Sequence, residues 1–338
     1  MTTLAIVIVS WNVRELLRRC LRAVDASLAG SGISYQVLVV DNASADGTPA
    51  MLRAEFPAVR LIEPGENLGF AKGNNLALRA IIENRADRAH SQFVLLLNPD
   101  TEPLGDAIPR LVRELEARPD LVAVGPQLRY PDGAVQPSRR RFPRRLTFFW
   151  ESTPLERLWP ANPWARHYRC ADAPDSAPQP VEWLVGAALL VRAEAVAQAG
   201  LLDERFFMYS EELEWQYRLQ MADCSSQLAA SRAALSPLTA QRSPNPSKIW
   251  YIPDAVVIHH EGKSSEQAIA SRYLNFNRSR LLLARMWYGW RFAALLRRFL
   301  RLGFAYELAV ETLKLGLRHR PELRRRRIAV YREVLGEL

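Results

Sequence analysis

Residues 93–102 read FVLLLNPDTE, and this stretch decides the fold. Five apolar residues in a row suit a strand buried on both faces of a sheet, since a helix would need a longer run with a 3.6-residue period. The run stops at Asn98-Pro99-Asp100, all turn-forming residue types. In open α/β sheets, ligands bind beyond the carboxyl ends of the strands. A carboxylate at Asp100 could there hold a hard divalent cation bridging two phosphates, with Asn98 beside it as an oxygen donor. A plain turn or helix cap would use the same residue types, so Asp100 alone leaves both readings open.

The pattern repeats upstream. Residues 4–9, LAIVIV, read as a first buried strand ending near Ser10. The stretch has no basic leader and no small-residue cleavage site, so it is not read as a signal peptide. Leu16, Leu17, Cys20, Leu21 and Val24 follow at helical spacing. QVLVV at 36–40 ends at Asp41, and the polar turn 42–47 offers Asp46 as a helix cap. A third strand falls at about 59–62, followed by NLGFAKGNNLAL entering a helix. A helix at about 106–117 and a strand at 121–124 come after Asp100. This alternation predicts an α/β fold: a Rossmann-like, mostly parallel central sheet flanked by helices.

Composition sets the limits. The chain has 338 residues, 49% hydrophobic and 24% charged, which excludes global disorder. No run reaches the roughly 18 apolar residues that span a bilayer. Cys20, Cys170 and Cys224 are far apart and form no CxxC pair, which suits a reducing, cytoplasmic compartment. The net charge of +9 is concentrated late: between Arg285 and residue 338, 13 Lys/Arg face 5 Asp/Glu. A smaller cluster comprises Arg139, Arg140, Arg141, Arg144 and Arg145. Basicity confined to a tail is a weak argument for a nucleic-acid partner.

The second half is less regular. Segment 126–180 holds many prolines, the arginine cluster and the aromatics Phe148, Phe149, Trp150, Trp159 and Trp164. It reads either as a mobile loop region over the site, gripping an acceptor, or as irregular surface with local packing. Order returns at 181–191, VEWLVGAALLV, followed by a helix at about 193–198. Residues 222–248 are rich in Ser, Ala and Pro and read as a flexible insertion. IWYIPDAVVIHH then forms a strand pair or one bent strand, and the chain reads as helical from about 266. Two regions result: a catalytic domain over 1–265 and a basic helical region over 266–338.

Several side chains could carry chemistry. Asp41 and Asn42 can accept and donate hydrogen bonds to a base or ribose, or simply close a turn. Gly69 and Gly73 permit close backbone approach, yet neither GxxxxGK[ST] nor GxGxxG is present. Glu211, Glu212 and Glu214 crowd together, which raises a carboxyl pKa and suits a general base; an acidic first turn of a helix is the plainer reading. Glu214 and Arg218 stand at i,i+4 and predict an ion pair. His259 and His260 end a strand, so one faces in and one out, and either could meet a metal or diphosphate. No HExxH spacing supports a zinc hydrolase.

Taken in order, IVIVSWN, VVDNASADGT, ENLGFAKGNN, LLLNPDTE, WLVGAALLVR, LLDERFFMYSEELEWQYRL and IWYIPDAVVIHHEGKS resemble family 2 glycosyltransferases with the GT-A fold, over about residues 4–262. The resemblance is greatest to rhamnosyltransferase-like enzymes of cell-surface polysaccharide assembly. It implies a nucleotide-diphosphate sugar donor (dTDP- or UDP-linked, tilting to dTDP-rhamnose), Mg²⁺ or Mn²⁺, and direct displacement with inversion. Carried over, Asp41 resembles the aspartate contacting the base, and Ser10 and Asn12 resemble residues lining the nucleotide pocket. Asn67, Gly69, Lys72 and Asn75 belong to a loop that resembles the one beside the ribose and phosphates. Asp100 resembles the metal-binding aspartate of a degenerate DXD motif, with Asn98 at its first position. Glu212 stands where the family usually has the Asp that serves as catalytic base, and His260 resembles a late histidine reaching the metal or diphosphate. The 222–248 insertion departs from the family pattern.

The resemblance also implies a growing glycan or lipid-linked acceptor. With it, the basic amphipathic segment 285–327 reads as a helix on an anionic bilayer, placing the protein peripherally on the inner face of the plasma membrane. A helical hairpin packed on the catalytic domain or on a partner subunit, as in a homo-oligomer, explains the same pattern. Two other classes compete: a nucleotide or nucleic-acid binder, which lacks recognised RNA-binding signatures, and a catalytically impaired relative acting as a structural partner. A nucleotidyltransferase would want a Gly-rich basic loop where SWNVREL stands.

Overall fold

The computed structural model describes residues 4–83, 91–224, 248–261 and 269–338. The expected insertion at 222–248 lies almost wholly outside the described residues. In chain order the first half contains β1 (Leu4–Ser10), α1 (Arg14–Leu28), β2 (Tyr35–Asp41), α2 (Thr48–Glu55), β3 (Arg60–Ile62), α3 (Gly69–Glu83), β4 (Phe93–Leu97), β5 (Thr101–Pro103), α4 (Ala107–Ala117) and β6 (Ala123–Arg129). Then come β7 (Val135–Gln136), β8 (Arg139–Arg140), α5 (Thr147–Trp150), α6 (Pro154–Leu158), α7 (Pro163–Tyr168), β9 (Gln179–Val181), β10 (Trp183–Leu184), β11 (Ala188–Arg192) and α8 (Ala193–Ala199). The last elements are α9 (Glu211–Cys224), β12 (Ile249–His259), α10 (Ile269–Gly316) and α11 (Pro321–Glu337).

The main sheet runs β3-β2-β1-β4-β11-β6-β12-β5. β1 pairs in parallel with β2 and β4, while β11 lies antiparallel between β4 and β6. Period-two alternation of β1 divides the core: Leu4, Ile6 and Ile8 pack with α1, α2 and α4, and Ala5 and Val7 with α3, α8 and α9. Asp46 ties two helix starts, accepting from the Arg14 amide at 2.8 Å and from the Thr48 amide at 3.1 Å.

Within segment 126–180 the aromatic residues are packed, as the local-packing reading expects. Phe148 and Phe149 meet Phe292 edge-to-face, Phe149 meets Phe299, and Trp150 stacks on Trp164. Burial of large rings, each worth a few kcal/mol, holds this segment under the C-terminal helices. β12 is one bent strand, its register against β6 shifting between Ile252 and Val256 around Pro253, which cannot donate to the ladder. α10 breaks at Gly289 (φ 84°), a conformation open to glycine. Its two halves and α11 share a third hydrophobic cluster with Trp183, Phe206 and Leu213.

Candidate active site

The parallel register sets Ser10 beside Asp41 at the carboxyl ends of β1 and β2. Next to them β4 ends at Leu97, and the amide of Asn98 just beyond it donates to the Ala187 carbonyl at 2.9 Å, so the antiparallel entry of β11 brings Gly186 against the Asn98–Asp100 turn. β12 pairs His259 with Thr101, setting His259 against Asp100. α9 delivers Glu211 and Glu212 from the far side. A cavity of about 530 Å³ lies among these ends, lined by Ser10, Asn42, Asn67, Gly69, Asn98, Asp100, Gly186, Glu211, Glu212 and His259.

On the β1–β2 side, Asp41 accepts from the Ser44 amide at 2.9 Å through Oδ2. Its Oδ1, the Ser10 Oγ and the Asn42 Oδ1 are buried without a hydrogen-bond partner. Orphaned buried polar atoms call for an explanation, and a bound polar ligand supplies one. Asn12 (φ 52°) and Ala43 (φ 58°) take strained backbone conformations here, and Asn12 Oδ1 accepts from the Ala45 amide at 2.7 Å. Asn12 thus shapes the turn; neither it nor Asp41, which is 2% exposed beside Ser10, is among the cavity-lining residues, whereas Ser10 and Asn42 are.

The α3 entry is fixed by close contact. Asn67 Oδ1 accepts from the Gly69 amide at 3.0 Å. A Cβ on Gly69 would sit 2.3 Å from the Phe207 carbonyl oxygen, and its φ is +78°, so glycine is required on both counts. Lys72 and Asn75 stand apart from the cavity. Lys72 is exposed, and Asn75 is spent on structure: its Nδ2 donates to the Leu202 carbonyl at 2.8 Å and its Oδ1 accepts from the Leu202 amide at 3.0 Å. An asparagine at helical phase with the buried face docks the 202–204 loop, so the expected ribose–phosphate loop narrows to Asn67 and Gly69.

Of the paired histidines, His259 and not His260 faces Asp100. His259 Nε2 lies 3.4 Å from Asp100 Oδ1, both side chains being buried. His260 turns the other way onto Glu102 Oε1, at 2.7 Å. Strand parity is the reason: Ala255, Val257 and His259 alternate inward. The tautomer of His259 follows from its neighbours. The Glu261 carboxylate accepts only, so the Gln136 amide nitrogen faces it at 2.8 Å. Gln136 Oε1 then faces His259 Nδ1 at 2.9 Å and takes its proton-bearing side. Nε2 is the ring nitrogen directed at Asp100, so a cation held between the two would use the imidazole nitrogen and the carboxylate oxygen together. Among the described residues no group of three or more His, Cys, Asp and Glu side chains gathers as a metal cage. An oxygen and an imidazole nitrogen still fit Mg²⁺ or Mn²⁺, which keep waters and substrate phosphates in their shells.

The α9 side of the cavity is acidic. Burial and the neighbouring Glu212 charge push the Glu211 carboxyl well above the usual carboxylate range. Burial also raises Glu212, opposed by nearby backbone amides and more weakly by Arg140. One oxygen of each, Oε2, has no hydrogen-bond partner. Glu214 does not compete for the role, because Arg218 binds it at 2.8 Å as the i,i+4 spacing predicts. Tyr209 (φ 72°) and Ser210 (φ 67°) are left-handed in succession just before α9, strain that the sequence gives no sign of. Gly186 makes room for the pair: a Cβ there would meet Glu212 Cβ and Cγ at 3.2 Å.

A nucleotide-sized cleft over a Rossmann-like sheet, an Asn-Pro-Asp turn and an acidic pair opposite it define a GT-A glycosyltransferase. The chain belongs to glycosyltransferase family 2, whose model matches residues 5–173. It is 33% identical over 258 residues to the N-acetylglucosaminyl-diphospho-decaprenol L-rhamnosyltransferase of Mycobacterium tuberculosis, covering 75% of this chain and 76% of that one. It is 26% identical to the low-salt glycan biosynthesis hexosyltransferase Agl10 of Haloferax volcanii, over 64% of this chain and 61% of that one. In fold it is similar to the mannosyltransferase PcManGT of Pyrobaculum calidifontis, solved with GDP-Man and Mn²⁺: TM-score 0.51, 15% identity, 99% of this chain and 85% of that one.

Proposed function

We propose that the protein is an inverting, metal-dependent transferase that moves L-rhamnose from a dTDP- or UDP-linked donor to a sugar on a lipid diphosphate. The acidic pair carries this reading: two buried carboxyls with raised pKa and free oxygens, facing Asp100 across one cavity. The M. tuberculosis relative, named for rhamnosyl transfer to a lipid-linked N-acetylglucosamine, supports the choice of sugar and acceptor.

The unpartnered oxygens of Ser10, Asp41 and Asn42 bind the nucleoside, and Asn67 and the Gly69 turn lie beside its ribose and phosphates. Asp100 and His259 hold the cation, with Asn98 adjacent. When bound, the cation neutralises charge on the departing diphosphate. Glu212, supported by Glu211, takes the acceptor hydroxyl proton as the oxygen bonds to the anomeric carbon. The bond from that carbon to the diphosphate breaks in the same step and its electron pair leaves with the nucleotide. A base on the acceptor side and a cation site on the diphosphate side suit a single displacement.

The exposed stripe Leu295, Leu302, Tyr306 and Leu313 on α10, with Arg298 and Arg301 to one side, suits a peripheral site on an anionic membrane. No helix among the described residues is long and apolar enough to cross a membrane. Calorimetric titration with dTDP, UDP and GDP sugars, with and without Mn²⁺, tests the reading. Metal-dependent binding of one nucleotide, lost in Asp100→Ala, is expected; no binding of any sugar nucleotide by folded protein would refute it.

A further inference from the structure

A second cavity, of about 1000 Å³, opens between α5–α7 and the C-terminal helices. It joins the first one: Val185, Tyr209, Glu261 and Arg272 line both. Its walls are aromatic, with Phe148, Tyr168, Trp183, Phe276, Phe299 and Phe304 among them. Arg140 and Arg280 also line it. Arg280 is 6% exposed, and its Nη2 donates to the Glu151 carbonyl at 2.8 Å while Nη1 has no partner. Among the described residues no carboxylate forms an ion pair with Arg140, Arg272 or Arg280 at 4.0 Å or less; the nearby acids Glu151, Glu156 and Glu307 are engaged by Arg169 and Arg157. Glu151 and Glu156 act on the buried Arg280 through space but are both shared with Arg169, and positive charge so incompletely matched favours an anion.

We propose that this cavity binds the diphosphate and the proximal hydrocarbon chain of the lipid acceptor, an inference that rests on the transferase reading and assigns its acceptor subsite. Arg272, at the junction of the two cavities, meets the diphosphate, with Arg140 and Arg280 adding positive potential behind it. The chain lies against the aromatic walls, and the sugar projects past Tyr209 towards Glu212. Helix α10 gives the route of entry: Phe299, Gly303 and Phe304 face the cavity, and the exposed apolar stripe runs along the adjoining face, about a third of a turn round the helix. Free phosphate would use the arginines alone and leave the aromatic walls without a role.

The test is calorimetric binding of farnesyl diphosphate, farnesol and inorganic diphosphate to the full chain, without vesicles, in wild type, Arg272→Ala and Gly303→Leu. Farnesyl diphosphate is expected to bind more tightly than either fragment. Arg272→Ala, at an exposed position, should weaken it about tenfold. Gly303→Leu, whose Cβ would stand 3.7 Å from Pro154, fills the cavity and should weaken farnesyl diphosphate about tenfold while sparing inorganic diphosphate. Farnesyl diphosphate binding that is absent, equal to inorganic diphosphate, or unchanged in Arg272→Ala would overturn the proposal. Sugar-nucleotide binding without farnesyl diphosphate binding defeats this subsite and leaves the transferase reading standing; the converse defeats that reading and leaves the cavity a lipid-diphosphate site.

Discussion

His259 and His260 differ by one position and by 180° of direction. His259→Ala is expected to lower transfer about 100-fold or more and to weaken metal-dependent donor binding. His260→Ala, which removes only the contact to Glu102, should stay within about fivefold, since such partly exposed pairs are worth little. Equal losses in both would place the metal elsewhere. The sequence made this pair visible as a strand end, and it showed Asp100, Asn98, Ser10 and Asp41 through the recurrence of polar residues after buried strands. It could not phase β12, because Pro253 breaks its register, and it could not tell that Asn75 is consumed by the Leu202 backbone. Glu211 offers a second check. Its carboxyl is raised in the folded chain, so the protonated form is the one that folding favours. The stability this confers is full below the ordinary value near 4.5 and is lost as pH rises through the raised value. Glu211→Gln should therefore raise the melting temperature at pH 8, with the gain disappearing below pH 4.5. A lower melting temperature at pH 8 would contradict the burial argument.

At the scale of elements, α9 holds the acidic pair in place through a side chain that pattern reading overlooks. Gln216 is fully buried; its Oε1 accepts from the Leu184 amide at 2.8 Å and its Nε2 donates to the Leu184 carbonyl at 2.7 Å. It completes the backbone pairing of β10 as a neighbouring strand would. Gln216→Leu leaves both groups unpaired and should cost about 2–4 kcal/mol. Urea titration reads this as a lower midpoint at constant slope, and an unchanged midpoint would rule the anchoring out. Helices and parallel strands were legible because apolar spacing alone specifies them. β7 to β10 were not, since two- or three-residue strands carry no period.

The whole molecule joins two readings that the sequence had set apart. The aromatic segment and the basic tail are one assembly: Tyr288 and Phe292 of α10 close over Phe148, and Arg280 binds the carbonyls of Phe148 and Glu151. Packing explains the buried face of the tail. The outer face, with Leu302 71% and Leu313 66% exposed, has no such explanation within the chain. Co-sedimentation with phosphatidylglycerol vesicles should be strong and salt-sensitive, weak with phosphatidylcholine, and reduced about tenfold in Leu302→Glu/Leu313→Glu. Equal binding to both vesicle types, or none, would remove the membrane from the account.

In the proposed mechanism an acid opposite Asp100 takes the acceptor proton in one displacement. Single-turnover transfer from dTDP-L-rhamnose to a short-chain prenyl-diphospho-N-acetylglucosamine, compared between wild type and Glu212→Gln, tests it most directly. Transfer should fall by about 1000-fold or more with donor affinity unchanged, and the wild-type product should carry the inverted anomeric configuration. Normal transfer by Glu212→Gln, or retention of configuration, would contradict it.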